Sequence, residues 1–356
     1  MEKISIAVYN NNRRVELLSK LNSIEGNFYN YFNIKSTSNV LLLHDNDLYE
    51  FKNNKIEFEK FLLSSKPYKI FLLFGLAEPM LNRKILEWLI SQKHLFNNQK
   101  IVVITANYSA YNVIDSDLIF MSEKSIICHW KPHLENTVNP LYNPKKFIEN
   151  KKYKFISLTG KPKQHRATLV EALIDLDYLS DENFITYHPN SIPHTFLLHN
   201  NLKDKYYKHS KLIEESKTQF DKLSKMKSFA CLSHSLYQNA YCNIYSEYSF
   251  KFDEIDYAIT EKTFYPLLNN CLNVLWGNGE YYFDVLKNKF GFENYTEIND
   301  TSIPIYENLK NLKDINIVDY YYDNIKKIEY NANHAYYYFY EYNFTEELYL
   351  KIKEIL

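Results

Sequence analysis

Thr260, Glu261 and Lys262 stand side by side at the head of the apolar stretch TEKTFYPLL. An acid and an amine at a helix entrance suit a nucleotide. The carboxylate can accept from two ribose hydroxyls, while the ammonium and the helix N-terminus meet a pyrophosphate. Thr260 is a competent N-cap and Glu261 falls in the first turn, where acids are favoured. An ordinary capped helix with a solvated Glu-Lys pair is therefore the alternative. Pro266 predicts a short or kinked helix start. The triplet follows a strand candidate that ends near Asn243 and Glu247, two side chains able to hydrogen-bond a sugar.

A second group is LTGKPKQHR, residues 158–166, directly after a strand candidate. A loop carrying Gly160 between a strand and a helix is where a phosphate would be cradled. Lys161, Lys163, His165 and Arg166 are its candidate cationic donors, with Arg166 favoured for its bidentate fork. The spacing is not that of a Walker A loop, which disfavours a kinase. A solvated basic loop is the alternative. A third group is Gly75-Leu-Ala-Glu78-Pro79, after the strand candidate Ile70–Phe74. Glu78 there could take a proton from an acceptor hydroxyl, or be an exposed loop acid. His44, Asp45 and Asp47 form a polar cluster that reads as an acceptor loop or a turn. No H-E-x-x-H or other ligand spacing occurs among the 11 histidines, so no catalytic metal is expected.

These groups need strands to end beside them. In the first half the strand candidates are Ile4–Val8, Val40–His44, Ile70–Phe74, Ile101–Thr105 and Asp117–Met121. In the second half they are Lys154–Leu158, Phe184–Tyr187, Ser228–Ser233, Tyr241–Ser246 and Leu272–Trp276. Amphipathic stretches lie between them: Arg14–Leu21, Asn82–Leu95, Arg166–Tyr178, Tyr206–Met226, Glu261–Leu268 and Tyr281–Lys289. Strands alternating with helices predict parallel sheets covered on both faces. The expected fold is α/β, with two Rossmann-like domains facing across a cleft. An N-terminal acceptor domain spans 1–150 and a donor domain 151–317, joined through a Pro-, Asn- and Lys-rich linker at Pro132–Lys152. The tyrosine-rich helical segment 318–356 has a path open to it back onto the first domain.

With 356 residues the chain exceeds one ordinary core. A net charge of -1 gives no global basic field for non-specific nucleic-acid binding. No run of about 18 apolar residues is present, so no membrane span is expected, and the N-terminus shows no signal-peptide core. Cys128, Cys231, Cys242 and Cys271 are scattered without a CxxC pair, which reads as reduced core thiols in a cytoplasmic protein. Abundant Tyr, Asn, Lys and Ile read as the codon bias of an AT-rich genome, phage or viral among others.

Asn243–Phe292 resembles the donor-binding region of α1,3-fucosyltransferase-type GT-B glycosyltransferases and their phage and viral relatives. The shared elements are Glu247, the polar loop Tyr248–Ala258, Thr260-Glu261-Lys262, Leu272–Trp276, Gly277–Gly279 and Gly291-Phe292. The loop ending in Arg166 is similar to the family's arginine-bearing loop, and Glu78-Pro79 to its acidic acceptor loop. The resemblance implies that Glu261 binds the ribose, that Lys262 and Arg166 neutralise the diphosphate, and that Glu78 is the base of an inverting displacement. It implies a nucleotide-sugar donor, no metal and no further cofactor. The acceptor is a glycan or a hydroxymethylated DNA base. The loop after Glu247 departs from the family and carries no guanine-recognition motif, so the donor need not be GDP-fucose. A non-catalytic nucleotide- or glycan-binding protein of the same fold is the alternative.

Overall fold

The computed structural model describes residues 2–9, 28–74, 83–96, 98–105, 113, 115–120, 149–159, 164–186, 212, 215, 236–247, 259–277 and 280–356. The chain forms two compact units. The first comprises Met1–Pro132, Glu254–Thr260 and Tyr338–Leu356; the second comprises His133–Asp253 and Glu261–Tyr337.

The first unit is built on β1 (Ile4–Val8), β2 (Phe32–Ile34), β3 (Val40–His44), β4 (Ile70–Phe74), β5 (Lys100–Ile104) and β6 (Leu118–Phe120). All pairings are parallel and the order is β2-β1-β3-β4-β5-β6. The runs VLLLH and IFLLF are buried along both faces, which is why they read as continuous rather than alternating apolar segments. Helices α1 (Phe28–Tyr31), α2 (Asp45–Asn53), α3 (Lys55–Ser65) and α4 (Arg83–Ser91) belong to this unit. Phe51, Phe58 and Phe61 of α2 and α3 pack with Leu41, Leu43, Phe71 and Leu73 of the sheet. The Phe51 and Phe61 rings stack with centroids 4.5 Å apart.

His44 ends β3 and caps α2. Its backbone N–H donates to Asp47 Oδ2 (2.9 Å), and its Nδ1 approaches Asp45 Oδ1 to 2.5 Å. Both aspartates are buried. This polar cluster is therefore a helix cap.

The second unit carries β7 (Tyr153–Leu158), β8 (Asn183–Thr186), β9 (Ala240–Tyr245) and β10 (Leu272–Leu275), parallel in the order β10-β9-β7-β8. Its helices are α5 (Gln164–Asp175), α6 (Glu261–Leu268), α7 (Glu280–Asn288), α8 (Ile305–Asp314), α9 (Ile317–Asp323) and α10 (Ile325–Tyr336). One face of the sheet (Phe155, Cys242, Ile244, Leu272, Val274, Trp276) meets Leu169 and Leu173 of α5 and Leu309 and Leu312 of α8. A π-helical stretch, Tyr337–Glu341, follows α10, and α11 (Phe344–Ile355) ends the chain.

Helix α11 belongs to the first unit. Tyr349 donates to Glu2 O (2.9 Å) and its ring packs against Phe32 and Tyr31. Several expected features lie outside the described residues: the helices Arg14–Leu21 and Tyr206–Met226 for the most part, the strand Ser228–Ser233, most of the linker Pro132–Lys152, the loop Tyr248–Ala258, and Cys128 and Cys231.

Lys151, expected at the end of the linker, is instead a core residue. Its Nζ donates to Gln238 O (2.8 Å) and sits 5.3 Å from the centre of the Tyr321 ring.

Candidate functional site

The strand order of the second unit creates a topological switch point. The chain passes from β7 to β8 on one side and from β9 to β10 on the other, so β7 and β9 meet at a switch point. Ile156 of β7 lies opposite Asn243 of β9. In open parallel sheets ligands bind outside the carboxyl ends of such strands. Helix α5 follows β7 and helix α6 precedes β10, so each presents its N-terminal end at the carboxyl edge of the sheet.

Arg166 and His165 fall in the first turn of α5, and both are buried. The α5 turn is tied to the sheet, because Trp276 Nε1 donates to Thr168 Oγ1 (3.3 Å), which donates to His165 O (3.0 Å). Thr159, just past β7, is locked to β8: its N–H donates to Thr186 Oγ1 (3.1 Å) and its hydroxyl to Thr186 O. Thr260 is buried and directly precedes α6. Lys262, second residue of α6, is half-buried. Glu261 opens α6. Glu78, Gly160, Lys161 and Lys163 lie outside the described residues.

Glu247 and Asn243 are placed differently from the sugar-facing role the sequence suggested. Glu247 is fully buried, and Thr263 Oγ1 donates to its Oε1 at 2.5 Å. Asn243 is buried in the sheet, where its Nδ2 donates to Asn273 Oδ1 (3.1 Å). Its Oδ1 has no hydrogen-bond partner among the described residues.

Around them runs a buried polar lattice that sequence reasoning missed. Tyr245 and Tyr282 share a hydrogen bond of 2.7 Å, and Tyr282 is also bonded to Thr263 Oγ1. Asn273 Nδ2 donates to Thr263 O (2.8 Å), and Asn299 Nδ2 donates to Asn273 O (2.8 Å). Burial pushes both tyrosine hydroxyls far up, with Glu247 nearby adding to the effect, so they remain protonated donors.

Gly291-Phe292 closes α7. Gly291 is left-handed (φ 76°), its N–H donates to Lys287 O (3.0 Å), and Phe292 is buried. His334 of α10 lies so close that a Cβ on Gly291 would be 2.9 Å from its Nε2. Asn331 of α10 holds Glu293 by both backbone groups, at 2.8 and 2.9 Å.

Cys242 and Cys271 are free and buried, and desolvation raises both thiols, Cys271 to about 12. They are inert packing residues. No group of three His, Cys, Asp or Glu among the described residues is placed to hold a metal ion, and no described helix is long and apolar enough to cross a membrane. A groove of about 760 Å³ in the first unit is lined by Lys3, Ser36, Thr37, Tyr68 and Lys353, at the amino ends of its strands.

No protein-family model and no curated protein matches the sequence. A solved structure described as a UDP-N-acetylglucosamine 2-epimerase from Listeria monocytogenes is similar over 99% of this chain and 96% of that one, at 9% identity and a TM-score of 0.42. The α/β architecture rests on the parallel strand orders of the two units.

Proposed function

We propose that the chain is a metal-independent, inverting glycosyltransferase that moves a sugar from a nucleoside-diphosphate donor to a hydroxyl acceptor. The observation that carries this reading is the parallel pairing of β7 with β9 at the switch point of the second unit, with Arg166 and Lys262 in the first turns of α5 and α6. Two helix N-termini and two cations at one sheet edge suit a diphosphate. Glu261 would take the ribose hydroxyls.

In the reaction the acceptor oxygen bonds to the sugar's anomeric carbon as the bond from that carbon to the phosphate oxygen breaks. Glu78 takes the acceptor's proton. The nucleoside diphosphate leaves with the bonding pair, its charge met by Arg166, Lys262 and the helix ends rather than by a metal. The acceptor is a glycan hydroxyl or a hydroxymethylated DNA base. A net charge of -1 favours the glycan. Retention on DNA at low salt with a steep salt slope would favour the base.

The test is a panel of UDP-, GDP-, CMP- and dTDP-sugars, read as thermal shift and as product formation with the parent and Glu78→Gln. Transfer by the parent, and loss of turnover with donor affinity kept in the variant, supports the enzyme. A shift with no transfer or hydrolysis from any donor would leave a binding protein in its place.

A further inference from the structure

We propose that Thr263 and Glu247 are positioning residues: a buried chain of hydroxyls ending on Glu247 fixes the first turn of α6, and through it Lys262. The inference rests on the glycosyltransferase reading only for what Lys262 then holds.

Proton counting supports it. Thr263 Oγ1 donates its single proton to Glu247 Oε1, at 2.5 Å. Thr263 Oγ1 must then accept from Tyr282, and Tyr282 Oη from Tyr245, across 2.7 Å. Every donor in the chain points toward Glu247. The third edge of the triangle, Thr263 Oγ1 to Tyr245 Oη, is 3.3 Å. The same turn is held a second time through its backbone, because Asn273 Nδ2 donates to Thr263 O (2.8 Å).

This anchoring matters because α6 starts weakly. It has eight residues, and Pro266 removes the N–H that would meet Lys262 O. A helix this short is marginal without tertiary ties. The ties reach it from β9 (Tyr245), from Glu247 just beyond it, from β10 (Asn273) and from α7 (Tyr282). Lys262 precedes Thr263 by one residue, so freedom at Thr263 becomes misplacement of the ammonium.

The experiment uses the full chain with Thr263→Val, which keeps the shape and removes the hydroxyl, and Thr263→Ser, which restores it. Hydrogen exchange of the α6 peptide and calorimetric titration with UDP and GDP are measured on each. Thr263→Val should speed α6 exchange and weaken diphosphate binding by about tenfold, the loss of one buried hydrogen-bonded tie. Thr263→Ser should return both toward the parent. Unchanged α6 exchange in Thr263→Val overturns the anchor, whatever the ligand does. Faster exchange with undiminished binding overturns the link to Lys262. If the parent binds neither diphosphate while exchange still accelerates, the anchor stands and the glycosyltransferase reading fails instead.

Discussion

Thr263 Oγ1 and Glu247 Oε1 lie 2.5 Å apart, both residues fully buried, and join the start of α6 to the chain just past β9. Glu247→Ala would leave the Thr263 hydroxyl buried without its acceptor. Stranding one buried polar group costs about 1–3 kcal/mol. At roughly 2–4 °C per kcal/mol for a unit of this size, the melting transition should fall by several degrees. Calorimetry of the variant checks this, and an unchanged transition would mean that the pair contributes nothing to the fold.

Gly291 and His334 make a second such pair. An alanine at 291 must hold φ near 76° and place its Cβ 2.9 Å from His334 Nε2. The left-handed backbone alone costs about 1–2 kcal/mol. Gly291→Ala should therefore destabilise by more than that, and His334→Ala introduced alongside should recover the steric share. A double-mutant cycle measures the coupling; strict additivity would show that the ring simply moves aside.

Lys151 should make stability depend on pH in mildly alkaline solution. Burial pulls its ammonium from 10.5 down to about 8, only partly offset by the neighbouring Cys271. The folded chain thus releases this proton before the unfolded chain does. Between those two values the unfolded state holds more protons, so the Lys151 contribution rises with pH, and its penalty is full below about 8. The raised thiols of Cys242 and Cys271 act in the opposite direction near their ordinary range. The parent is therefore compared with Lys151→Met, in which those thiols cancel. Relative to the variant, the parent should gain about 1 kcal/mol from pH 8 to pH 9 in denaturant titrations. Parallel profiles would contradict the buried, depressed amine.

Asn270 ends α6 in the left-handed region (φ 53°), with its N–H on Leu267 O (3.1 Å) and the Cys271 N–H on Pro266 O (3.0 Å). Glycine is the residue best suited to that position. Asn270→Gly should be neutral or stabilising within about 1 kcal/mol, and Asn270→Val clearly destabilising, since a branched side chain resists positive φ. Thermal unfolding of the pair separates them; equal stability would show that the cap does not limit α6.

The parallel sheets were legible because both of their faces are buried. Runs such as VLLLH and IFLLF have no polar alternation, and they emerge as β3 and β4 with their expected bounds. Shorter elements escaped. β2 has three residues, too few to show a period. Helices α2 and α3 carry Leu48, Phe51, Phe58 and Phe61 at helical spacing, a short apolar stripe diluted by the charged residues around it.

The polar lattice was illegible for a different reason. Asn243 and Asn273 are thirty residues apart in sequence and meet only through strand register. Abundant asparagine looked like genomic bias, yet Asn54, Asn316 and Asn343 cap helices, Asn270 takes a left-handed position, and Asn299 and Asn331 hold loops. A chain poor in glycine uses the side chain that best tolerates those conformations.

The most direct test of the central claim is isothermal titration of the full chain with UDP and GDP, in parallel with Lys262→Ala. Lys262 is half-buried on α6 and can be truncated without opening the core. The account predicts saturable binding of at least one diphosphate by the parent, and about a tenfold or greater loss in the variant, as expected for removing a charge-assisted contact. Equal affinity in the two proteins, or no binding of either nucleotide by the parent, would contradict it.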